Sequence, residues 1–260
     1  MPDTSDQAIL THRDGHVAVI ELNRPPHHFF DLAMIAQIAD ELDRLQADKA
    51  CRVVLLQAGG SAFCAGADFS KRNAAETPRS PSSINPIYQE ALRIFSFGKP
   101  IVAAIEGPAV GGGLGLALTA DFRVSCEEAR FSANFNRLGF HPGFALSYTL
   151  PALIGKQKAA WMLYTGARVN GRQALDMGLV DFIVPQAEVR ARAMALAREM
   201  AASSPRALQS TRQTLQADAL SHIRNAISRE SAEQALHFAS ADIAEGVKAM
   251  AQRRLPVFAD

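Results

Sequence analysis

The chain has 260 residues, 48 % of them hydrophobic, which is enough to bury a substantial core as one large domain or as a domain with a smaller appendage. A formal net charge of +1 gives no excess of basic residues for binding nucleic acid. The three cysteines lack metal-ligand spacing, which argues against a disulfide framework or a structural metal. The sequence shows neither a secretion signal pattern nor an apolar run of membrane-spanning length, so we expect a cytoplasmic protein with no membrane partner.

A β-hairpin is predicted at the N-terminus. Residues 8–22 read as two strands around Asp14-Gly15, because Asp-Gly supplies a tight turn and the flanking residues are apolar and β-branched. Asn23-Arg24-Pro25-Pro26 ends the hairpin, and Asp31 is a plausible N-cap for a helix. The apolar positions of that helix recur at helical spacing: Leu32, Ile35, Ile38, Leu42 and Leu45.

Strands and helices alternate through the middle of the chain. Short apolar runs that indicate strands cover residues 52–58, 100–105, 122–126 and 180–184. Helical patterns cover residues 84–95, 114–120 and most of the chain after Pro185, with a break at 203–205, and a polar, proline-containing loop covers 70–86. We therefore expect an α/β core over residues 1–200 and a helical region over 201–260.

A cluster of glycines, Gly111-Gly112-Gly113-Leu114-Gly115, lies between a predicted strand and a predicted helix. Backbone N–H groups at a helix start are unpaired, so this turn outlines an oxyanion site. A close contact between helix and sheet that tolerates only glycine explains the cluster equally well. A dinucleotide or triphosphate site fits poorly, because the cluster lies mid-chain and no Walker-type lysine follows it.

A second turn of small residues, Phe63-Cys64-Ala65-Gly66-Ala67-Asp68-Phe69, also follows a strand and would let a ligand approach the backbone closely. Together with Leu22-Asn23-Arg24-Pro25, the two turns resemble the enoyl-CoA hydratase/isomerase (crotonase) family. Its members carry L-N-R-P, F-x-A-G-x-D and G-x-x-x-G-G-G in this order. The resemblance continues through Leu163-Tyr164-Thr165-Gly166 and Ala174 to Val180 as far as Arg253 to Phe258.

The resemblance implies a crotonase-like spiral of ββα units with a C-terminal helical oligomerisation region, assembling as a homotrimer or a dimer of trimers. It implies that a CoA thioester binds with its carbonyl oxygen between the N–H groups of Ala67 and Gly112, which stabilise an enolate. The substrate is carried as the CoA ester, with no permanently bound cofactor and no metal. The resemblance also implies that the substrate contacts Ala65, Gly66, Asp68, Phe69, Ser70 and Gly111.

The family's acidic side chains are missing from their expected positions. Two glutamates deliver water in family hydratases, and these positions fall here on Gly115 and on or next to Phe135, while a further acidic position falls on Gly143. None of these side chains can move a proton at neutral pH. His141, in the same turn as Gly143, is the remaining candidate for proton transfer, with a hydrogen bond to a loop carbonyl as the alternative role.

Three functions stay open at this point. The first is a family enzyme that binds an acyl-CoA or enoyl-CoA ester and stabilises its enolate. The second is a CoA-ester-binding homologue without catalysis. The third is an acyl-CoA decarboxylase or hydrolase that uses His141, with water or Cys64 as its partner.

Overall fold

An antiparallel hairpin begins the chain. In the computed structural model, which describes residues 7–68 and 84–259, β1 (Ile9–Asp14) pairs with β2 (Val17–Leu22). Asp14 lies opposite Val17, and Gly15 takes the left-handed φ of 56° that the turn requires. The predicted hairpin is confirmed.

The first helix, α1 (Leu32–Ala47), begins where its cap predicts. The Asp31 carboxylate accepts a hydrogen bond of 2.9 Å from the N–H of Met34, which satisfies one of the unpaired donors of the first turn. The side chains at the predicted apolar positions from Ile35 to Leu45 are buried against the sheet core. The helix is therefore held by its cap and by one apolar face.

Seven further strands follow the hairpin: β3 (Val53–Ala58), β4 (Ile101–Ile105), β5 (Ala109–Val110), β6 (Phe122–Ser125), β7 (Arg130–Ser132), β8 (Arg168–Asn170) and β9 (Phe182–Ile183). Six strands of the described chain form the main sheet in the order β1-β2-β3-β4-β6-β9, parallel from β2 onward. A second sheet has the order β5-β7-β8. The predicted strands all lie in the main sheet.

The helices after α1 are α2 (Pro86–Phe95), α3 (Gly112–Ala117), α4 (Leu146–Ile154), α5 (Lys156–Thr165), α6 (Gly171–Met177), α7 (Val189–Ala201), α8 (Pro205–His237) and α9 (Asp242–Ala251). α7 packs on the main sheet, and α8 packs on α2 and α4. The predicted helical C-terminal part is confirmed, whereas the domain boundary after residue 200 stays a prediction. No helix within the described ranges is long and apolar enough to cross a membrane.

Asp121, the residue before β6, connects the main sheet to α8 through its carboxylate. Its carboxylate accepts a 2.8 Å hydrogen bond from the N–H of Ile101 and pairs at 2.9 Å with Arg212 of α8. The pair is largely buried, so loss of either partner would leave an uncompensated charge. Asp121 therefore links the sheet to the C-terminal helices.

Candidate active site

The two glycine-containing turns interlock. Cys64 forms a parallel bridge with Ala109, with Val110 N–H donating to the Cys64 carbonyl at 3.0 Å. A Cβ added to Gly113 would collide with that same carbonyl, and one added to Gly66 would lie 2.9 Å from the carbonyl oxygen of Val110. The turns approach so closely that only glycine fits at both contacts.

Phe30 orients the two backbone donors. Its N–H donates to the Gly66 carbonyl at 3.0 Å within a parallel bridge to Ala67, and in such a bridge the N–H of Ala67 points away from Phe30. The Phe30 ring lies against Gly112, the first residue of α3, so closely that a Cβ there would overlap it. One residue therefore packs against both N–H-bearing turns.

A cavity of about 360 Å³ opens over these donors. In the described part of the chain, the N–H groups of Ala67 and Gly112 have no hydrogen-bond partner. Six residues predicted as catalytic or substrate-binding line this one cavity: Ala65, Gly66, Ala67, Asp68, Gly111 and Gly112. Phe69 and Ser70, also predicted as contacts, lie outside the described residues.

Phe144 fills the space beside Gly115, the position at which the resemblance predicts a glutamate in family hydratases. A Cβ added to Gly115 would lie 2.6 Å from the Cβ of Phe144. Phe144 is fully buried, has a φ of 60°, and packs at a steep angle against the rings of Phe30 and Tyr88. A longer side chain at position 115 therefore has no room, and the apolar ring excludes water from this wall.

Tyr88 fills the space beside Gly143 in the same way, since an added Cβ there would overlap its hydroxyl. The Tyr88 hydroxyl donates to the Gln234 Oε1 at 3.0 Å, and the Gln234 Nε2 donates to the His141 carbonyl at 2.8 Å. Tyr88 and Gln234 both line the cavity. The sequence did not point to this pair, because 146 residues separate the partners and Tyr88 reads as one apolar position of α2.

The side chain of His141 does not line the cavity that contains Ala67 and Gly112. Its Nδ1 lies 2.8 Å from the Pro142 carbonyl, and its ring stacks on His237 with centroids 6.4 Å apart. Its backbone carbonyl, by contrast, is bound by the cavity residue Gln234. The catalytic role of His141 stays a prediction.

His27 and His28 differ in their surroundings. His27 lines the cavity and lies edge-on to Phe29. His28 is fully buried, and burial lowers its pKa. Its Nε2–H donates a hydrogen bond to the Gly59 carbonyl, and its Nδ1 accepts one from the Arg24 N–H. His28 is therefore a neutral histidine that closes the turn before α1.

Cys64 is buried beneath the two turns. Its thiol donates to the His28 carbonyl at 3.1 Å, and burial raises the pKa of the thiol to about 12. A thiol in this state is not a nucleophile at neutral pH, so the structure opposes the cysteine-based hydrolase. Cys51 and Cys126 are also buried free thiols, and burial raises the pKa of each.

All three cysteines should resist alkylation in the folded protein, because none exposes a thiolate. Intact-mass spectrometry after iodoacetamide treatment at pH 8 should show no adduct on the native chain and three adducts in concentrated urea. Rapid native labelling of Cys64 would contradict the geometry of the two turns.

Glu230 of α8 supports the wall that carries Phe144. Its carboxylate accepts hydrogen bonds from the N–H of Ala145 at 2.8 Å and from the N–H and hydroxyl of Ser147 at 2.9 and 2.6 Å. Phe144 and Ala145 both have left-handed φ values near 60°, so these bonds secure a strained turn. Burial is the main influence on this carboxyl and raises its pKa from 4.5 to about 7.

The free energy of unfolding should fall as the pH rises from about 4.5 to about 7. In this pH range the folded chain keeps a proton on Glu230, whereas the unfolded chain releases it. The free energy of unfolding should therefore fall by about 3 kcal/mol across the range. Urea denaturation across this range should show a smaller pH dependence for Glu230→Gln than for wild type. The control Glu233→Gln, on the same helix and paired with Arg229, should keep the wild-type slope; equal slopes for all three proteins would refute the assignment.

No group of three or more histidine, cysteine or acidic side chains within residues 7–68 and 84–259 could hold a metal ion. The cavity offers instead two backbone donors, an apolar wall and the Tyr88–Gln234 pair. Such a site can stabilise negative charge on an oxygen through its backbone donors.

The chain is similar to known proteins over nearly its whole length. Residues 12–260 match the family model described as enoyl-CoA hydratase/isomerase. A probable enoyl-CoA hydratase of Bacillus subtilis (strain 168) is 33 % identical over 247 residues, which cover 94 % of this chain and 96 % of that protein. A 1,2-epoxyphenylacetyl-CoA isomerase of Escherichia coli (strain K12) is 30 % identical over 255 residues, covering 96 % and 97 %.

The fold has close counterparts among solved structures. The crystal structure of an enoyl-CoA hydratase/isomerase from Pseudoalteromonas atlantica T6c superposes with a TM-score of 0.89 at 29 % identity, covering 97 % of this chain and 100 % of that chain. This likeness confirms the predicted crotonase-like fold. The match of the family model over nearly the whole chain shows that the protein belongs to the enoyl-CoA hydratase/isomerase family and is an enzyme of that family.

Proposed function

We propose that the protein binds an acyl-CoA or enoyl-CoA thioester and stabilises its enolate between the N–H groups of Ala67 and Gly112. The observation that carries this proposal is a pair of backbone N–H groups, on Ala67 and Gly112, that have no hydrogen-bond partner among the described residues and belong to two residues lining one largely apolar cavity. When a proton leaves the α-carbon, negative charge moves to the thioester oxygen. Donors fixed before the reaction stabilise that charge by about 3 to 4 kcal/mol each.

The reaction we propose is isomerisation or another conversion through the enolate, rather than hydration by two glutamates. Gly115, Phe135 and Gly143 carry no carboxyl group, and Phe144 and Tyr88 occupy the space beside two of them. Both reaction classes occur among the relatives, since one is named a hydratase and another an isomerase. Isomerisation needs fewer acid and base groups than the addition of water.

We keep His141 as the proposed proton-transfer group and add Tyr88 as a competing one, because Tyr88 lines the cavity and carries an ionisable hydroxyl. Turnover that is unaltered in His141→Ala would remove His141 from the mechanism. Loss of turnover in Tyr88→Phe with retained CoA-ester binding would assign proton transfer to Tyr88 instead.

The test of the proposed function is incubation with enoyl-, 3-hydroxyacyl- and malonyl-type CoA esters in ordinary and deuterated water, followed by mass spectrometry. Deuterium incorporation at the α-carbon, with or without product, would support enolate formation. Tight binding with neither exchange nor turnover would support the non-catalytic CoA-ester-binding alternative. Failure to bind any CoA ester would overturn both readings.

We also propose that the chain self-associates as a homotrimer or a dimer of trimers. Large apolar side chains of α4 and α5 stay exposed in the single chain: Leu153 by 37 %, Trp161 by 47 % and Tyr164 by 74 %. Exposed apolar groups on adjacent helices favour a protein partner. Light scattering after size-exclusion chromatography should give three or six times the protomer mass of 28.0 kDa, and a monomer would contradict the proposal.

A further inference from the structure

A second cavity, of about 940 Å³, adjoins the first. Four residues line both cavities: Asn134, Leu138, Arg168 and Met250. Arg168 therefore lines the same cavity as Ala67 and Gly112 and also belongs to the second cavity.

The second cavity is rich in positive charge. Four arginines line it, Arg137, Arg168, Arg253 and Arg254, and none of its described lining residues is acidic. Glu245 neutralises Arg254 through two hydrogen bonds of 2.6 and 2.9 Å. In the part of the chain that the structure describes, the other three arginines form no ion pair.

Arg168 lies at the junction of the two cavities. It is the first residue of β8, opposite Ser132 of β7, and the next residue, Val169, is buried on the other face of the strand. Since successive side chains of a strand point to opposite faces, Arg168 faces the cavities. Its guanidinium has no hydrogen-bond partner among the described residues.

Arg137 flanks this junction in a fixed position. Its Nε donates to the Thr165 carbonyl at 2.7 Å, and its Cγ lies against Gly166, where an added Cβ would come within 2.7 Å of it. The turn before β8 therefore fixes Arg137, which lines the second cavity together with Arg168. Two arginines that pair with no carboxylate among residues 7–68 and 84–259 create a local positive potential that favours an anion.

The mixture of surfaces in the first cavity indicates the chemistry of its occupant. Its lining combines the backbone donors with the apolar side chains of Phe135, Leu138 and Phe140 and with Arg168. An acyl chain that is apolar in its middle and anionic at its end has a complementary surface for each of these. A carboxylate is the natural partner of a guanidinium, because the two planar groups form paired charge-assisted hydrogen bonds.

We propose that the substrate is a CoA ester whose acyl chain ends in a carboxylate, and that Arg168 binds this distal carboxylate with Arg137 beside it. This inference rests on the proposed function, since it assumes that the thioester lies at Ala67 and Gly112. The phosphates of CoA are another source of an oxyanion for the same arginines, and the test below separates the two.

The test measures the binding of matched CoA esters by isothermal titration calorimetry. Each pair has the same number of carbon atoms, from four to eight, and consists of a dicarboxylic acyl-CoA and the monocarboxylic acyl-CoA, with free CoA as a third ligand. The proteins are wild type, Arg168→Gln, Arg168→Lys and the control Arg172→Gln, an exposed arginine of α6 outside both cavities.

For at least one chain length, wild type should bind the dicarboxylic ester about tenfold more tightly than its partner, as expected for one charge-assisted contact. Arg168→Gln should remove this preference, Arg168→Lys should restore part of it, and Arg172→Gln should keep it. Raised salt should reduce the preference in wild type.

Two results would overturn the inference while leaving the proposed function intact. The first is equal affinity of wild type for the two esters at every chain length. The second is an equal loss of affinity in Arg168→Gln for both esters and for free CoA, which would assign the arginine to a phosphate. Failure of every CoA ester to bind wild type would instead overturn the proposed function, and this inference with it.

Discussion

Replacing Ala67 with proline should lower the rate of α-proton exchange in a bound acyl-CoA ester by about 100- to 1,000-fold, the loss that follows removal of one oxyanion-hole donor. Proline lacks a backbone N–H and so cannot bind the enolate oxygen. The bridge to Phe30 should survive, because it uses the N–H of Phe30 and not that of Ala67. The measurement is deuterium incorporation at the α-carbon, followed by mass spectrometry.

Ala67→Gly is the matched control, since it changes the same residue but keeps the N–H. It should retain most of the exchange activity, and circular dichroism should show both variants folded. Exchange in Ala67→Pro at the wild-type rate would mean that Ala67 does not donate to the thioester oxygen.

Phe144→Ala should lower the free energy of unfolding by about 3 to 5 kcal/mol, the range for truncating a buried aromatic side chain. Phe144 is fully buried and its ring meets those of Phe30, Tyr88 and Phe95, so the space it leaves cannot close without moving the cavity wall. Because the free energy of unfolding of a whole protein is about 5 to 15 kcal/mol, the expected loss is a large fraction of it. Urea denaturation at fixed protein concentration measures the change.

Phe122→Ala provides the comparison. Because Phe122 is 37 % exposed on the sheet, its truncation should lower the free energy of unfolding much less. Similar losses for the two variants would show that the ring of Phe144 is not the packing centre of this wall. A small loss for Phe144→Ala, with a wild-type m-value, would contradict the packing directly.

The elements that the sequence predicted are those that carry local signals. The hairpin follows from Asp14-Gly15, α1 from its Asp31 cap, and the break between α7 and α8 from the residues at 203–205. The strands β5, β7 and β8 were not predicted, because runs of two or three residues show no periodicity. Likewise α3 begins at Gly112 rather than at Leu114, because glycines carry no helical signal.

For the candidate site, the sequence predicted the two glycine-containing turns but not the side chains that pack around them. Ala67 and Gly112 were predicted because glycine-rich turns must lie where chains approach closely, and the resemblance to a family implied their role, which stays a prediction. Tyr88 and Gln234 were missed because long-range pairing decides their position. The packing of Phe144 over Gly115 was missed for the same reason, although it explains why a carboxylate side chain has no room there.

The most direct measurement is the infrared frequency of the thioester carbonyl in a bound, ¹³C-labelled acyl-CoA. If Ala67 and Gly112 both donate to this oxygen, the carbonyl stretch of the ester bound to wild type should move to lower frequency than in water, because stronger hydrogen bonds weaken the C=O bond. The shift should be smaller with Ala67→Pro. An unshifted carbonyl in wild type, or the same shift in both proteins, would contradict the account.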